Sequence, residues 1–153
     1  MKVQVTRELF DDVKSQFIAL DTSTVDDKMK DVLDFLKTSP CLVNVVPRWS
    51  CEGHSEDAGE NSFYIIFCTV DDGDEFLENV FDEISSRMAG LYGLGYLAQT
   101  HLSLVKLIHM DHEGTHTHLK LESKNNGDEV LTEHIKRVWF EVFSDLTWEY
   151  YES

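Results

Sequence analysis

Phe63-Tyr64-Ile65-Ile66-Phe67-Cys68-Thr69-Val70 carries the strongest strand signal in the chain. The run is rich in β-branched and aromatic residues, is apolar on both faces and has the length of a strand. Such a strand belongs in the middle of a sheet, covered on at least one side. Its neighbours must then supply the pairing edges and the covering layer.

Downstream, Asp71-Asp72-Gly73-Asp74 is a turn whose acids suit the start of a helix. Phe76, Leu77, Val80, Phe81, Ile84 and Met88 recur at helical spacing, which predicts a helix from about Asp74 to Ala89. Gly90, Gly93 and Gly95 mark its exit. Tyr96 to Met110 and Thr115 to Ser123 read as a hairpin turning at Asp111-His112-Glu113-Gly114. Parity puts Leu102, Leu104 and Ile108 on one face with Leu119 and Leu121. The other face collects His101, Ser103, His109, His116, His118, Lys120 and Glu122. Asp128 is the expected cap of a last helix running to about Glu149, striped by Leu131, Ile135, Val138, Trp139, Val142, Phe143 and Leu146.

Upstream, the polar stretch Arg48 to Ser62, with Gly53 and Gly59, reads as a loop, and Cys41 to Pro47 as a short strand. Pro40 ends a helix striped by Met29, Val32, Leu33 and Leu36, for which Ser23 is the expected cap. Thr6 caps a first helix reaching Leu20. The order α-α-β-β-α-β-β-α predicts an α+β fold. Its four-stranded, mainly antiparallel sheet carries about four helices packed mainly on one face. With 153 residues, two prolines and eight glycines, the chain has little material for a linker, so one acidic domain is expected over residues 1–153.

Charge narrows the function. Twenty-nine acids against thirteen bases give a net charge of −16. No Lys or Arg stands between Arg48 and Arg87, an interval that holds eleven acids. A field of that sign repels nucleic-acid phosphates and anionic lipid and attracts basic protein surfaces. Neither direct nucleic-acid binding nor a membrane partner is expected. The expected partner is a basic protein surface, such as that of a host protein that handles nucleic acid. Glu52, Glu56, Asp57, Glu60, Asp74, Glu75, Glu78, Asp82 and Glu83 are the carboxylates expected to meet it. Those at 75, 78 and 82 fall on neighbouring helical turns, and such a row can imitate DNA phosphates. Solubility alone is the plainer use of such charge. Surplus aromatics at Phe140 and from Trp148 to Tyr151 suit a partner contact or a homodimer. No apolar run is long enough to span a bilayer, and the start of the chain lacks a secretory pattern. Three widely spaced cysteines without a Cys-x-x-Cys pair favour a reducing, cytoplasmic setting.

Two groups of residues offer chemistry. His109, His116 and His118 share a predicted face, where alternate imidazoles can hold zinc. His101-Leu102-Ser103 and His116-Thr117-His118 also come near the paired motifs of two-histidine phosphoesterases. In the predicted loop, Trp49-Ser50-Cys51-Glu52-Gly53-His54 brings a hydroxyl, a thiol and an imidazole together, with Gly53 allowing a tight bend. His54 beside Cys51 can lower the thiol pKa and make it a nucleophile, the one catalytic pair the sequence suggests. A nucleotide-like ligand, or its hydrolysis, is the function that this loop and the hairpin histidines would serve. The plainer role of the same loop is structural, with Trp49 packing on the core.

The Trp-Ser-Cys-x-Gly-His run, followed by Tyr64-Ile65-Ile66-Phe67, resembles a loop and strand of small acidic phage-encoded proteins with no assigned activity. It is also similar to the Ser-Cys-Ser-Gly-Arg loop of the wybutosine-synthesis methyltransferase-like family, departing from it at Glu52 and His54. The likeness covers about twenty residues. The first resemblance, with the acidity, implies a phage-type inhibitor or decoy acting on a host defence or nucleic-acid-handling protein.

Overall fold

The computed structural model describes residues 5–24, 27–53, 61–89, 100–112, 114–125 and 129–152. Its elements are α1 (Arg7–Ala19), α2 (Asp27–Lys37), β1 (Val45–Gly53), β2 (Asn61–Thr69), α3 (Gly73–Ala89), β3 (Thr100–Asp111), β4 (Gly114–Asn125) and α4 (Glu129–Thr147). The strands form one antiparallel sheet in the order β1-β2-β4-β3. The fold is α+β with the element order expected from sequence, and β2 is internal.

Register follows the parity of the side chains. Phe67 pairs with Leu119, Ile65 with Leu121, and Leu121 with Leu104. These residues build one apolar face, and Phe63, Ile65, Phe67 and Leu121 are fully buried. α4 lies on it: Trp139 meets Phe63 edge-on at 4.7 Å between ring centroids, and Phe143 meets Phe67 at 6.0 Å. α3 and α2 flank α4 through the Phe76–Phe143 and Phe35–Phe140 contacts. α1 packs on β1 and β2 from the histidine-bearing side, where Thr6, Leu9 and Asp12 border a cleft with His116. Three helices therefore cover the leucine face and one covers part of the other.

Caps and turns explain most element ends. Thr6 Oγ1 accepts the Leu9 N–H at 3.2 Å and starts α1 as expected. Ser23 does not cap α2. Its N–H and hydroxyl both donate to Asp21 Oδ1, at 3.0 and 2.6 Å, closing a 3₁₀ turn at Thr22–Thr24, and α2 begins at Asp27. The expected strand from Cys41 also shifts. Pro40 opens a 3₁₀ turn over Pro40–Val43, with Ser39 Oγ accepting the Cys41 N–H, so β1 starts only at Val45. β1 then runs through Gly53, across the first part of the expected loop. The reason is pairing: β1 follows β2 from Val45↔Thr69 to Gly53↔Ser62, and a bulge between Pro47 and Trp49 absorbs Arg48. Proline has no N–H to give a ladder, so the irregularity falls beside it. The proposed Asp128 cap, the glycine-rich exit at 90–95 and the start of the third strand at 96–99 lie outside the described residues.

Candidate functional site

The β1 bulge sets the first candidate site. Arg48 places its guanidinium 4.3 Å from the centroid of the Trp49 ring, and its Nη1 lies 2.9 Å from His118 Nε2. Arginine can only donate, so Nε2 accepts and the neutral His118 ring carries its proton on Nδ1. Trp49 reaches both hairpin strands, with ring centroids 5.2 Å from His109 and 5.4 Å from His118. His109 pairs directly with His116, and His118 stands two residues further along β4. The structure therefore joins the two sequence-derived groups, through Trp49 and the hairpin histidines. Arg48, which links them, was not legible as a site residue, because nothing local in the sequence marks the bulge that aims it.

Among the described residues this cluster is closed rather than reactive. Among the described residues no three His, Cys, Asp or Glu side chains converge as metal ligands, and Arg48 already occupies His118 Nε2. Among the described residues His109, His116 and His118 share a face without converging on a zinc site. His101 pairs with Lys124 at the far end of the hairpin, so the two phosphoesterase-like motifs do not meet. Burial, then Arg48 and the neighbouring histidines, holds the His118 pKa down to about 4. Burial pushes the Cys41 thiol up to about 11 and the Cys68 thiol up to about 12, the latter partly offset by Arg48. Neither is a nucleophile near neutral pH. Ser50, Cys51, Glu52 and Gly53 belong to β1 rather than to a loop. Their side chains lie outside the described residues, as do His54, Glu56, Asp57 and Glu60.

His118 gives a pH signature. The unfolded ring takes a proton near pH 6.5, whereas the folded ring stays neutral down to about 4. The unfolded chain then binds more protons, so folding stability falls as pH drops between those values. Denaturant unfolding at pH 7 and at pH 4.5 is expected to cost the wild type ~1–3 kcal/mol more over that interval than His118→Phe. Equal losses would show that His118 is not held neutral.

The second candidate site is the outer surface of the helix layer. α3 carries five acids and one base. Asp74 is buried, and its Oδ1 accepts the Glu75 N–H at 3.0 Å at the head of α3. It serves the helix start and is no partner contact, contrary to expectation. Glu75, Glu78 and Asp82 are exposed. Glu83 is half-buried and meets Arg87 Nε at 3.1 Å. Arg87 also reaches Asp145 at 2.7 Å and Glu141 at 3.8 Å on α4. Its pKa is raised, first by Asp145 and then by Glu83. One cation thus serves three carboxylates at the α3–α4 seam, leaving an excess of negative charge there. Glu141 and Asp145 extend the acidic surface onto α4. Sequence reading missed them because their neighbours on α3 are distant in the chain.

The open part of the sheet face differs in sign. There Glu122 lies between Lys120 at 3.2 Å and Lys124 at 3.7 Å, and Lys120 sits over the Tyr64 ring. The acidity of the described residues is therefore concentrated on the helices. No helix among these residues is long and apolar enough to cross a membrane. Comparison with protein-family models, with curated proteins and with solved structures returns no match.

Proposed function

We propose that this chain is a small acidic binding protein of the phage inhibitor or decoy type, whose helix layer engages a basic surface on a protein that handles nucleic acid. The observation that carries the reading is the run of exposed carboxylates at Glu75, Glu78 and Asp82 on α3, with Glu141 and Asp145 of α4 gathered around Arg87 at the α3–α4 seam. α3 is anchored on the core by Phe76, Leu77, Val80 and Ile84, so the row is held rigidly. A rigid row of negative charge can occupy a groove built for phosphates and steer the approach of its owner. Cys41 and Cys68 pack as small buried hydrophobes, which supports a reducing, cytoplasmic setting. A nucleotide-like ligand at Trp49 is the weaker reading, because Arg48 already covers the ring against which a base would stack.

The test is capture from a lysate with the tagged full chain. A nucleic-acid-handling protein is expected at low salt, released by added duplex DNA. The triple variant Glu75→Lys/Glu78→Lys/Asp82→Lys is expected to lose that capture by at least about ten-fold, from several unfavourable charge contacts acting together. Capture that persists in the triple variant would refute the reading.

A further inference from the structure

We propose that the groove between α2 and α4, continued along the C-terminal π-helical turn (Trp148–Glu152), is the docking site for a basic amphipathic helix of the partner. The inference rests on the acidic-binder reading above and gives its partner a chemistry.

The groove has two adjoining stretches, of about 600 and about 650 Å³, that share Phe35. Phe140 lies against Phe35 at 5.6 Å, edge-on, and is 39% exposed, while Trp148 at the other end is 64% exposed. Three aromatic rings therefore form a discontinuous apolar floor. From Glu133 to Trp148 the groove follows about four helical turns, roughly 23 Å. That length suits one docked helix with apolar anchors at i, i+3 or i+4, and i+7.

The rim selects the sign of the occupant. Asp31, Asp34, Glu133, Asp145, Glu149 and Glu152 line the groove, against Lys136 and Arg137. Lys136 lies 3.0 Å from Glu133 and 3.8 Å from Asp31, and Asp145 meets Arg87, yet six carboxylates against two cations still leave the lining negative. A helix whose apolar stripe is flanked by Lys and Arg would meet both floor and rim. A second copy of this chain would set the same carboxylates against each other across a two-fold axis, which opposes self-association. An anionic lipid surface is repelled by the same charge.

The test uses a fluorescently labelled Leu/Lys amphipathic peptide of about 18 residues and the full chain, read by anisotropy. One control peptide replaces every Leu by Ser and keeps the charge. Saturable binding of the Leu/Lys peptide is expected, with the Ser/Lys peptide at least about ten-fold weaker. Phe140→Ser and, separately, Trp148→Ser are each expected to weaken binding about ten-fold, as losses of aromatic anchors do. Glu149→Lys/Glu152→Lys is expected to weaken it comparably at low salt. The α3 triple variant is expected to change it by less than about three-fold, since rim charges away from the contact act mainly through steering. Circular dichroism checks that each variant stays folded. Equal binding of the two peptides, or indifference to both aromatic substitutions, would overturn the groove as the site. If the groove variants still capture the lysate partner while the α3 variant does not, the groove inference fails and the acidic-binder reading stands. If the α3 variant captures it as well, that reading itself fails.

Discussion

Trp139→Ala is expected to lower the unfolding free energy by ~3–5 kcal/mol, the cost of emptying a large, fully enclosed aromatic site. Trp139 is the largest wholly buried side chain and sits at the junction of α4 with the centre of the sheet, edge-on to Phe63. Few neighbours can collapse into the space, because β2 is held between β1 and β4 and cannot move inward. A domain of this size has ~5–15 kcal/mol of stability in all, so the variant should unfold at much lower denaturant. Trp139→Phe is expected to cost only ~1 kcal/mol. It loses volume, but the indole Nε1 it removes is buried without a hydrogen-bond partner among the described residues. Urea denaturation of the three proteins checks both values. A Phe variant as damaged as the Ala variant would mean that Nε1 is satisfied after all.

Gly73→Ala is expected to cost about 3 kcal/mol, although it adds a single methyl group. A Cβ at Gly73 would fall 2.1 Å from the Asn44 carbonyl oxygen, with the Asn44 carbonyl carbon and Val45 Cγ2 each at 3.0 Å. The nearest obstacle is backbone, which is fixed from several sides. Asn44 O accepts the Val70 N–H at 3.0 Å, and Gly73 N–H donates to Val70 O at 3.0 Å. The Asn44 side chain accepts from the Tyr151 hydroxyl at 2.5 Å. Relief requires α3 to lift from the start of β1 or the Asn44–Val70 bond to break. Because α3 carries the proposed recognition row, the variant should also bind the partner more weakly than its folded fraction accounts for. A melting temperature equal to wild type would show that the close approach is not real.

The fold was legible because β2 is unambiguous and every covering stripe has a clear period. The leucine and histidine faces of the β3–β4 hairpin followed from parity alone, since a one-residue slip would have exposed Leu119 and Leu121. The element edges were harder. β1 hid in a polar stretch because long-range pairing with β2, and not local propensity, extends it to Gly53. Gly73 was legible as a turn residue, but its close contact with Asn44 lies 29 positions away and has no local mark.

The candidate site was legible in sign but only partly in place. Glu75, Glu78 and Asp82 came from one helix and one period. Asp74 looked equivalent to them, and only its burial in the first turn of α3, where it accepts the Glu75 N–H, sets it apart from the recognition row. Phe140 and Trp148 stood out as aromatics beyond one buried stripe. The groove they share with Phe35 depends on how α2 packs across α4, which no single segment encodes.

The charge of the α3–α4 surface is best tested by titrating the captured partner against wild type and the triple variant Glu75→Lys/Glu78→Lys/Asp82→Lys as salt is raised from about 50 to about 300 mM. Wild-type affinity is expected to fall by more than about ten-fold across that range, and the variant to start weak and change little. Affinity that is flat with salt, or the same for both proteins, would mean that these carboxylates do not make the contact.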